Sequence, residues 1–123
     1  MNKKEFGNIG ETIACKYLLS KKYKIVERNF YYYGGEIDII AYDESAEVLI
    51  FIEVKTRSNL RYGLASESIG YVKLKRIIKG AKYYMFLNGI NGVKIRFDAL
   101  ELYYKNNKFL INHIKEIIWY CKP

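Results

Sequence analysis

One proline, one histidine and two cysteines in 123 residues leave several chemistries without their parts. The proline is the last residue, Pro123, so no interior element is kinked by a proline ring. Cys15 and Cys121 stand near opposite ends, with no Cys-x-x-Cys pair and no histidine at ligand spacing, which leaves no zinc site. The single histidine, His113, has no recognisable nucleophile and acid partners, which argues against serine or cysteine catalysis; it is read as structural. Phosphate-loop and dinucleotide glycine patterns are absent as well. The longest apolar runs, such as Val48 to Ile52, fall far short of the ~20 residues that span a bilayer. The basic start Met1-Asn2-Lys3-Lys4 runs into Gly7-Asn8-Ile9-Gly10-Glu11 where a secretory signal would turn apolar. The expectation is a cytoplasmic protein with reduced thiols and no membrane partner.

Acidic residues are outnumbered, 13 against 21 Lys and Arg, for a net charge of +8. Such a balance suits a partner rich in phosphates. A basic surface also serves solubility, or docks an acidic protein. The 13 tyrosines can stack on bases, yet tyrosine is equally an ordinary sheet residue. The length suits one domain over residues 1–123, with no repeat, low-complexity tract or linker to divide it.

The chain is organised around Gly35-Glu36-Ile37-Asp38-Ile39-Ile40-Ala41-Tyr42 and its return Val48-Leu49-Ile50-Phe51-Ile52-Glu53-Val54-Lys55, two β-branched and aromatic runs joined by a polar break. They read as an antiparallel hairpin. Centring the turn between Ser45 and Ala46 sets Asp38 opposite Glu53, Ile40 opposite Phe51 and Tyr42 opposite Leu49 on one face. The other face then carries Ile37, Ile39 and Ala41 against Val54, Ile52 and Ile50. Both faces are apolar enough to be covered. Two facing carboxylates on a covered sheet repel and lose hydration, so a cation should sit between them. Lys55 supplies one positive charge, and a divalent metal would supply the rest. Asp38 and Glu53 offer hard oxygens suited to Mg2+ or Mn2+, with the Val54 carbonyl as a further donor.

Asp38 followed by Glu53-Val54-Lys55 resembles the Asp…Glu-x-Lys signature of the restriction-endonuclease-like nucleases. The surrounding words Gly10-Glu11, Asn29-Phe30, Gly35-Glu36-Ile37-Asp38, Phe51 to Arg57 and Arg96-Phe97-Asp98 are similar to the YraN-type family of small bacterial proteins, itself similar to archaeal Holliday junction resolvases. The resemblance covers about residues 7 to 98. It implies a mixed β-sheet flanked by helices, α/β or α+β, and a metal-dependent nuclease acting on DNA, including branched or junction DNA. It further implies Asp38, Glu53 and Lys55 as catalytic residues, and Glu11 on the first helix as an additional acidic residue at the metal. By position alone Glu11 also reads as a surface glutamate favoured by the helix dipole. Junction cleavage would call for a homodimer. The competing readings are a non-catalytic nucleic-acid-binding module and a protein-interaction subunit with a basic surface.

The remaining elements follow from periodicity. Phe6, Ile9, Ile13, Ala14, Tyr17 and Leu18 make a helical stripe over residues 2–21. Residues 23–33 suit a strand ending at Gly34-Gly35, and its Arg28 and Tyr31-Tyr32-Tyr33 fit either nucleic acid or an aromatic edge strand. The polar stretch from Thr56 to Ala65 fits a substrate loop, with Arg57 and Arg61 as phosphate donors, or a solvated connection. Ser66 or Ser68 can cap a second helix reaching Leu87. Its Leu74, Ile77, Ile78, Ala81 and Met85 face the core, Lys75, Arg76, Lys79 and Lys82 face outward, and Lys73 lies at the boundary. That basic row serves backbone contact or simple solvation. Residues 93–104 alternate as a strand in which Asp98 orders Arg96 or the sheet end, with a third metal ligand as the other option. A short strand at Phe109 and Ile111 and a short helix from Ile114 to Ile118 close the chain.

Overall fold

The computed structural model describes residues 2–57 and 70–119. Its elements are α1 (Lys3–Ser20), β1 (Lys24–Tyr32), β2 (Gly35–Asp43), β3 (Val48–Arg57), α2 (Tyr71–Leu87), β4 (Lys94–Lys105) and β5 (Lys108–Ile114), with a 3-10 turn at Ile117–Trp119. One sheet of five strands runs in the order β1-β2-β3-β4-β5. All neighbours are antiparallel except β3 and β4, whose parallel pairing is what a helical crossover through α2 permits. The sheet separates two cores. Ala14, Cys15 and Leu18 of α1 pack on Ile39, Ile50, Ile52 and Leu100, while Leu74, Ile77, Ala81 and Tyr84 of α2 pack on Ile40, Phe51, Phe97 and Ala99. This is the mixed α/β arrangement expected, with the hairpin covered on both faces.

Local chemistry fixes the helix ends. Asn2 caps α1 by accepting from the Glu5 amide at 2.8 Å, and returns a bond from its own amide group to the Glu5 carboxylate at 3.0 Å. The helix closes at Lys22, whose φ of 69° lets the Tyr23 amide reach back to the Leu18 carbonyl. α2 begins at Tyr71 with Gly70 as its N-cap, and a glycine N-cap costs a helix only a few tenths of a kcal/mol against a serine; Ser66 and Ser68 were the expected caps. Those serines, with Arg61 and Cys121, lie outside the described residues. Ile114 closes β5, and among the described residues beyond it a single 3-10 turn stands where a short helix was expected. The Asn106-Asn107 turn, with φ of 51° and 62°, holds β4 and β5 in register that far.

The hairpin register is as read: Ile39 pairs with Ile52, Ile40 with Phe51 and Tyr42 with Leu49. Ile37 departs from expectation. It belongs to the α2 core with Phe30 and Ile40, whereas Ile39 belongs to the α1 core. The cause lies on the facing strand. Asn29 adopts a left-handed φ of 53°, which reverses the pleat, so that Arg28 reaches Glu11 on α1 while Phe30 packs edge-on against Tyr84 of α2. Asp38 sits opposite that reversal.

Candidate functional site

β2 begins and β3 runs out at one end of the sheet, around a pocket of about 310 Å³ lined by Tyr32, Gly34, Gly35, Glu36, Asp38, Glu53, Lys73 and Arg76. The regular ladder between the strands ends at Ile39 and Ile52, and the Asp38 carboxylate continues it: the Val54 amide donates to Asp38 Oδ2 at 2.8 Å. A main-chain donor thereby fixes a buried carboxylate beside Glu53. Two lysines bear on one oxygen of Glu53, with Nζ to Oε1 distances of 2.5 Å for Lys73 and 3.6 Å for Lys55. Glu11 arrives from α1, with Arg28 Nη2 at 3.9 Å from its Oε1. It can approach because Gly10 lies flat on β3; a Cβ there would stand 2.1 Å from Thr56 Oγ1.

Burial first, and then crowding of like charge, shifts the titration of this end. Burial, and then the charge of Glu53, pushes the Asp38 pKa up to about 8, with the Val54 amide pulling the other way. Glu11 is also raised, chiefly by burial, with Glu36 and Glu53 adding to it and Arg28 and Asn29 opposing. Lys55 moves the other way: burial first, then the neighbouring Lys73 ammonium, makes its proton easier to lose. Burial works against the Lys73 ammonium too, but Glu53 more than compensates and its pKa is raised. Burial and the facing Glu53 thus favour the protonated form of Asp38, and a further cation would favour its carboxylate.

The structure brings Glu11, Asp38, Glu53, Val54, Lys55 and Lys73 to this one end. Among the described residues no three Asp, Glu, His or Cys side chains close on a single point as a finished metal cage. Two hard oxygen donors side by side, Asp38 with its charged form disfavoured by burial, nevertheless fit a divalent ion of the Mg2+ type, which keeps much of its shell as water. Arg57 lies on the same strand but turns to the fully buried Glu101, Nε to Oε1 at 3.1 Å. Lys75, Arg76 and Lys79 stay exposed along α2, with Lys75 over the Tyr71 ring at 5.4 Å. The ion pair of Lys73 with Glu53, the approach of Arg28 to Glu11 and the left-handed backbone at Asn29 were not anticipated. An asparagine inside a run of strand formers was the available signal, since asparagine tolerates left-handed backbone better than its neighbours.

A larger cleft of about 620 Å³ lies near the β2–β3 turn, lined by residues including Tyr17, Lys21, Asp43, Glu44 and His113. Its acids are already engaged, Asp43 by Ser45 and Glu44 by Lys24, so size alone does not mark the site. Asp98, on the α1 side of the sheet, is saturated. It accepts from Arg96 Nε and Nη2, each at 2.8 Å, from His113 Nε2 at 2.8 Å and from the Glu116 amide at 3.1 Å. A carboxylate only accepts, so His113 Nε2 carries a proton, and the Tyr17 hydroxyl meets the other ring nitrogen at 3.0 Å. His113 and Asp98 therefore serve the fold, Asp98 by ordering Arg96 as expected.

A mixed five-stranded sheet with a helix on each face, and a break in the β2–β3 ladder that presents carboxylates at its edge, is consistent with a restriction-endonuclease-like α/β fold. Within that class the chain belongs to the uncharacterised protein family UPF0102, which it matches over residues 10–102. It is 48% identical over 114 residues to a UPF0102 protein of Clostridioides difficile, covering 93% of this chain and 96% of that one. A UPF0102 protein of Caldanaerobacter subterraneus is 38% identical over 118 residues, 96% and 95% of the two chains. One from Dictyoglomus turgidum is 41% identical over 102 residues, 83% and 85% of the two chains. Among the described residues no helix is long and apolar enough to cross a membrane.

Proposed function

We propose that this protein is a divalent-metal-dependent nuclease that hydrolyses phosphodiester bonds in DNA, in the cytoplasm. One observation carries the reading: Asp38 and Glu53, both buried, meet at an open sheet end with Lys55 and Lys73 on the same Glu53 oxygen. Asp38 and Glu53 would hold Mg2+ or Mn2+, with Glu11 close by and the Val54 carbonyl as a further donor. The ion, when bound, would neutralise phosphate charge and lower the pKa of a water. The protein's own part is to position. The Val54 amide holds Asp38 in one orientation. Lys55, its ammonium made more acidic by its surroundings, orients a nucleophilic water or meets charge developing on the phosphate oxygens. The exposed Lys75, Arg76 and Lys79, with Arg61, would guide the backbone by charge, so affinity falls log-linearly with salt.

The decisive comparison uses labelled duplex, four-way junction, flap, single-stranded DNA and RNA with Mg2+ or Mn2+, for wild type, Lys55→Ala and Glu53→Gln. Lys55→Ala should lose about a hundredfold or more in cleavage while binding changes little, because its contribution grows in the transition state. Glu53→Gln should abolish cleavage and the metal-induced rise in melting temperature. Preference for the junction would add a homodimer to the proposal. The second reading, a nucleic-acid-binding module without turnover, is favoured by the Lys73–Glu53 ion pair, which already places a cation on the carboxylate. Tight, salt-sensitive binding with no cleavage of any substrate on the panel would establish it instead.

A further inference from the structure

β1 ends in Tyr31 and Tyr32, and Tyr33 follows directly in the turn; the fold treats the three tyrosines differently. Tyr32 is locked: its hydroxyl donates to the Arg76 carbonyl at 2.7 Å, and its ring lies so close to α2 that a Cβ on Gly80 would stand 2.4 Å from it. The flanking side chains alternate away from that anchor. Tyr31 is 71% exposed and Tyr33 94% exposed. Neither ring packs against another ring among the described residues. Tyr33 opens the turn to Gly34, whose φ of 108° supplies the backbone geometry the turn needs. Nothing in that turn calls for an aromatic side chain. The turn is also a wall of the carboxylate pocket, through Gly34, Gly35 and Glu36.

We infer that Tyr33, with Tyr31 beside it, is a stacking platform for an unpaired base next to the Asp38–Glu53 pocket, so that the substrate class is nucleic acid with single-stranded or splayed nucleotides at the reacting phosphate. This deepens the proposed function and rests on it. A base inside a duplex has both faces covered by its neighbours; only an unstacked base can offer a face to a projecting ring. Nucleic acid is the favoured occupant over a protein because the chain carries +8 and the exposed Lys75, Arg76 and Lys79 lie on α2, the helix to which Tyr32 ties this strand end. The anchored Tyr32 keeps its two neighbours projecting before any ligand arrives, which reduces the ordering cost of binding.

The test is equilibrium binding, with chelator present to stop cleavage, of a single-stranded oligonucleotide, an abasic oligonucleotide of equal length and a fully paired duplex. Tyr33→Ala should weaken single-strand binding about tenfold, the usual scale for one lost stacked base, and leave the abasic strand and duplex unchanged. Tyr33→Trp should restore affinity, and its emission above the Trp119 background should be quenched by the normal strand but not by the abasic one. Equal loss on all three ligands, or no loss on any, would overturn the inference. So would a change in molar mass by light scattering in Tyr33→Ala, which would make the surface a self-association contact. Salt-sensitive binding that persists without any Tyr33 effect removes this inference alone. Failure of wild type to bind any of the three removes the proposed function as well.

Discussion

Asp38 and Asp98 are both buried aspartates of the same sheet, and their surroundings are opposite in kind. Burial presses the Asp98 pKa upward, but bonds from His113 and Arg96 outweigh it and hold the carboxyl below its usual range. Asp38 receives one amide and faces Glu53, and its pKa rises to about 8. The cations near Asp38 are directed at its neighbours instead: Lys55 and Lys73 at Glu53, Arg28 at Glu11. A chain able to surround Asp98 with donors from three segments leaves Asp38 short of positive charge at an open end. That contrast separates a carboxylate that holds the fold together from one that, on the proposed function, is kept for a metal ion.

The largest effect that could break this comparison is on stability. Asp98→Ala strands the half-buried Arg96 guanidinium and the His113 ring nitrogen, and should cost about 3–5 kcal/mol. Asp38→Asn keeps an oxygen for the Val54 amide and removes a charge that repels Glu53, so it should be neutral or stabilising at pH 8 in chelator. Urea denaturation of both variants measures it. Asp38→Asn proving the costlier change would mean that Asp38 is the structural carboxylate after all.

The pH dependence should differ in sign as well. Folding raises the Asp38 pKa, so its contribution is fully present below its unfolded value of 3.8 and is lost as pH climbs through about 8. Folding lowers the Asp98 pKa, so its contribution is present above the ordinary carboxylate value and is lost as pH falls through the depressed one. Melting temperatures of wild type in chelator should therefore fall on both the alkaline and acid sides. Asp38→Asn should flatten the alkaline fall and leave the acid one intact. A wild-type curve flat from about pH 5 to about pH 8, where the unfolded chain ionises Asp38 and the folded one resists it, would show that Asp38 does not carry the burden assigned to it.

Much of this contrast was legible in the residue order, because pairing register and apolar alternation are local. The Ile40–Phe51 and Tyr42–Leu49 pairs, the covered hairpin and the outward row Lys75, Arg76 and Lys79 all followed from period two and period 3.6. Ile37 did not, because alternation assumes an unbroken pleat and the break is made on another strand, at Asn29. Donors to Asp98 come from β4, β5 and the turn beyond it, and no spacing along the chain encodes that meeting. The Arg57–Glu101 pair is of the same kind: the parallel register sets Glu101 beside Lys55, one pleat from Arg57, and that register depends on a crossover whose geometry the sequence does not state. Close approaches were hidden for a different reason. Gly10 and Gly80 look like ordinary helix-weakening glycines until Thr56 and Tyr32 are placed against them.

The smallest effect sharpens the comparison through Gly10, which lets α1 bring Glu11 to the Asp38 end. Gly7 and Gly10 both lie inside α1, where alanine would favour an isolated helix by about 1 kcal/mol each. A Cβ at Gly7 meets nothing within 4 Å, so Gly7→Ala should stabilise by up to about that amount. A Cβ at Gly10 would fall 2.1 Å from Thr56 Oγ1 and 3.0 Å from Thr56 Cβ, and Thr56 is a short, branched side chain with no flexible end to yield. Either Thr56 changes rotamer or α1 lifts off β3, and Gly10→Ala should destabilise by about 1–3 kcal/mol, as overpacking does. Lifting α1 also draws Glu11 away from Asp38, so the metal-induced rise in melting temperature should shrink in Gly10→Ala and persist in Gly7→Ala. Adding Thr56→Ala removes the obstructing atoms, and in the double variant both stability and metal response should return toward wild type. A double variant as unstable as Gly10→Ala alone would place the contact of α1 with the sheet, and the route by which Glu11 reaches the site, somewhere other than Thr56.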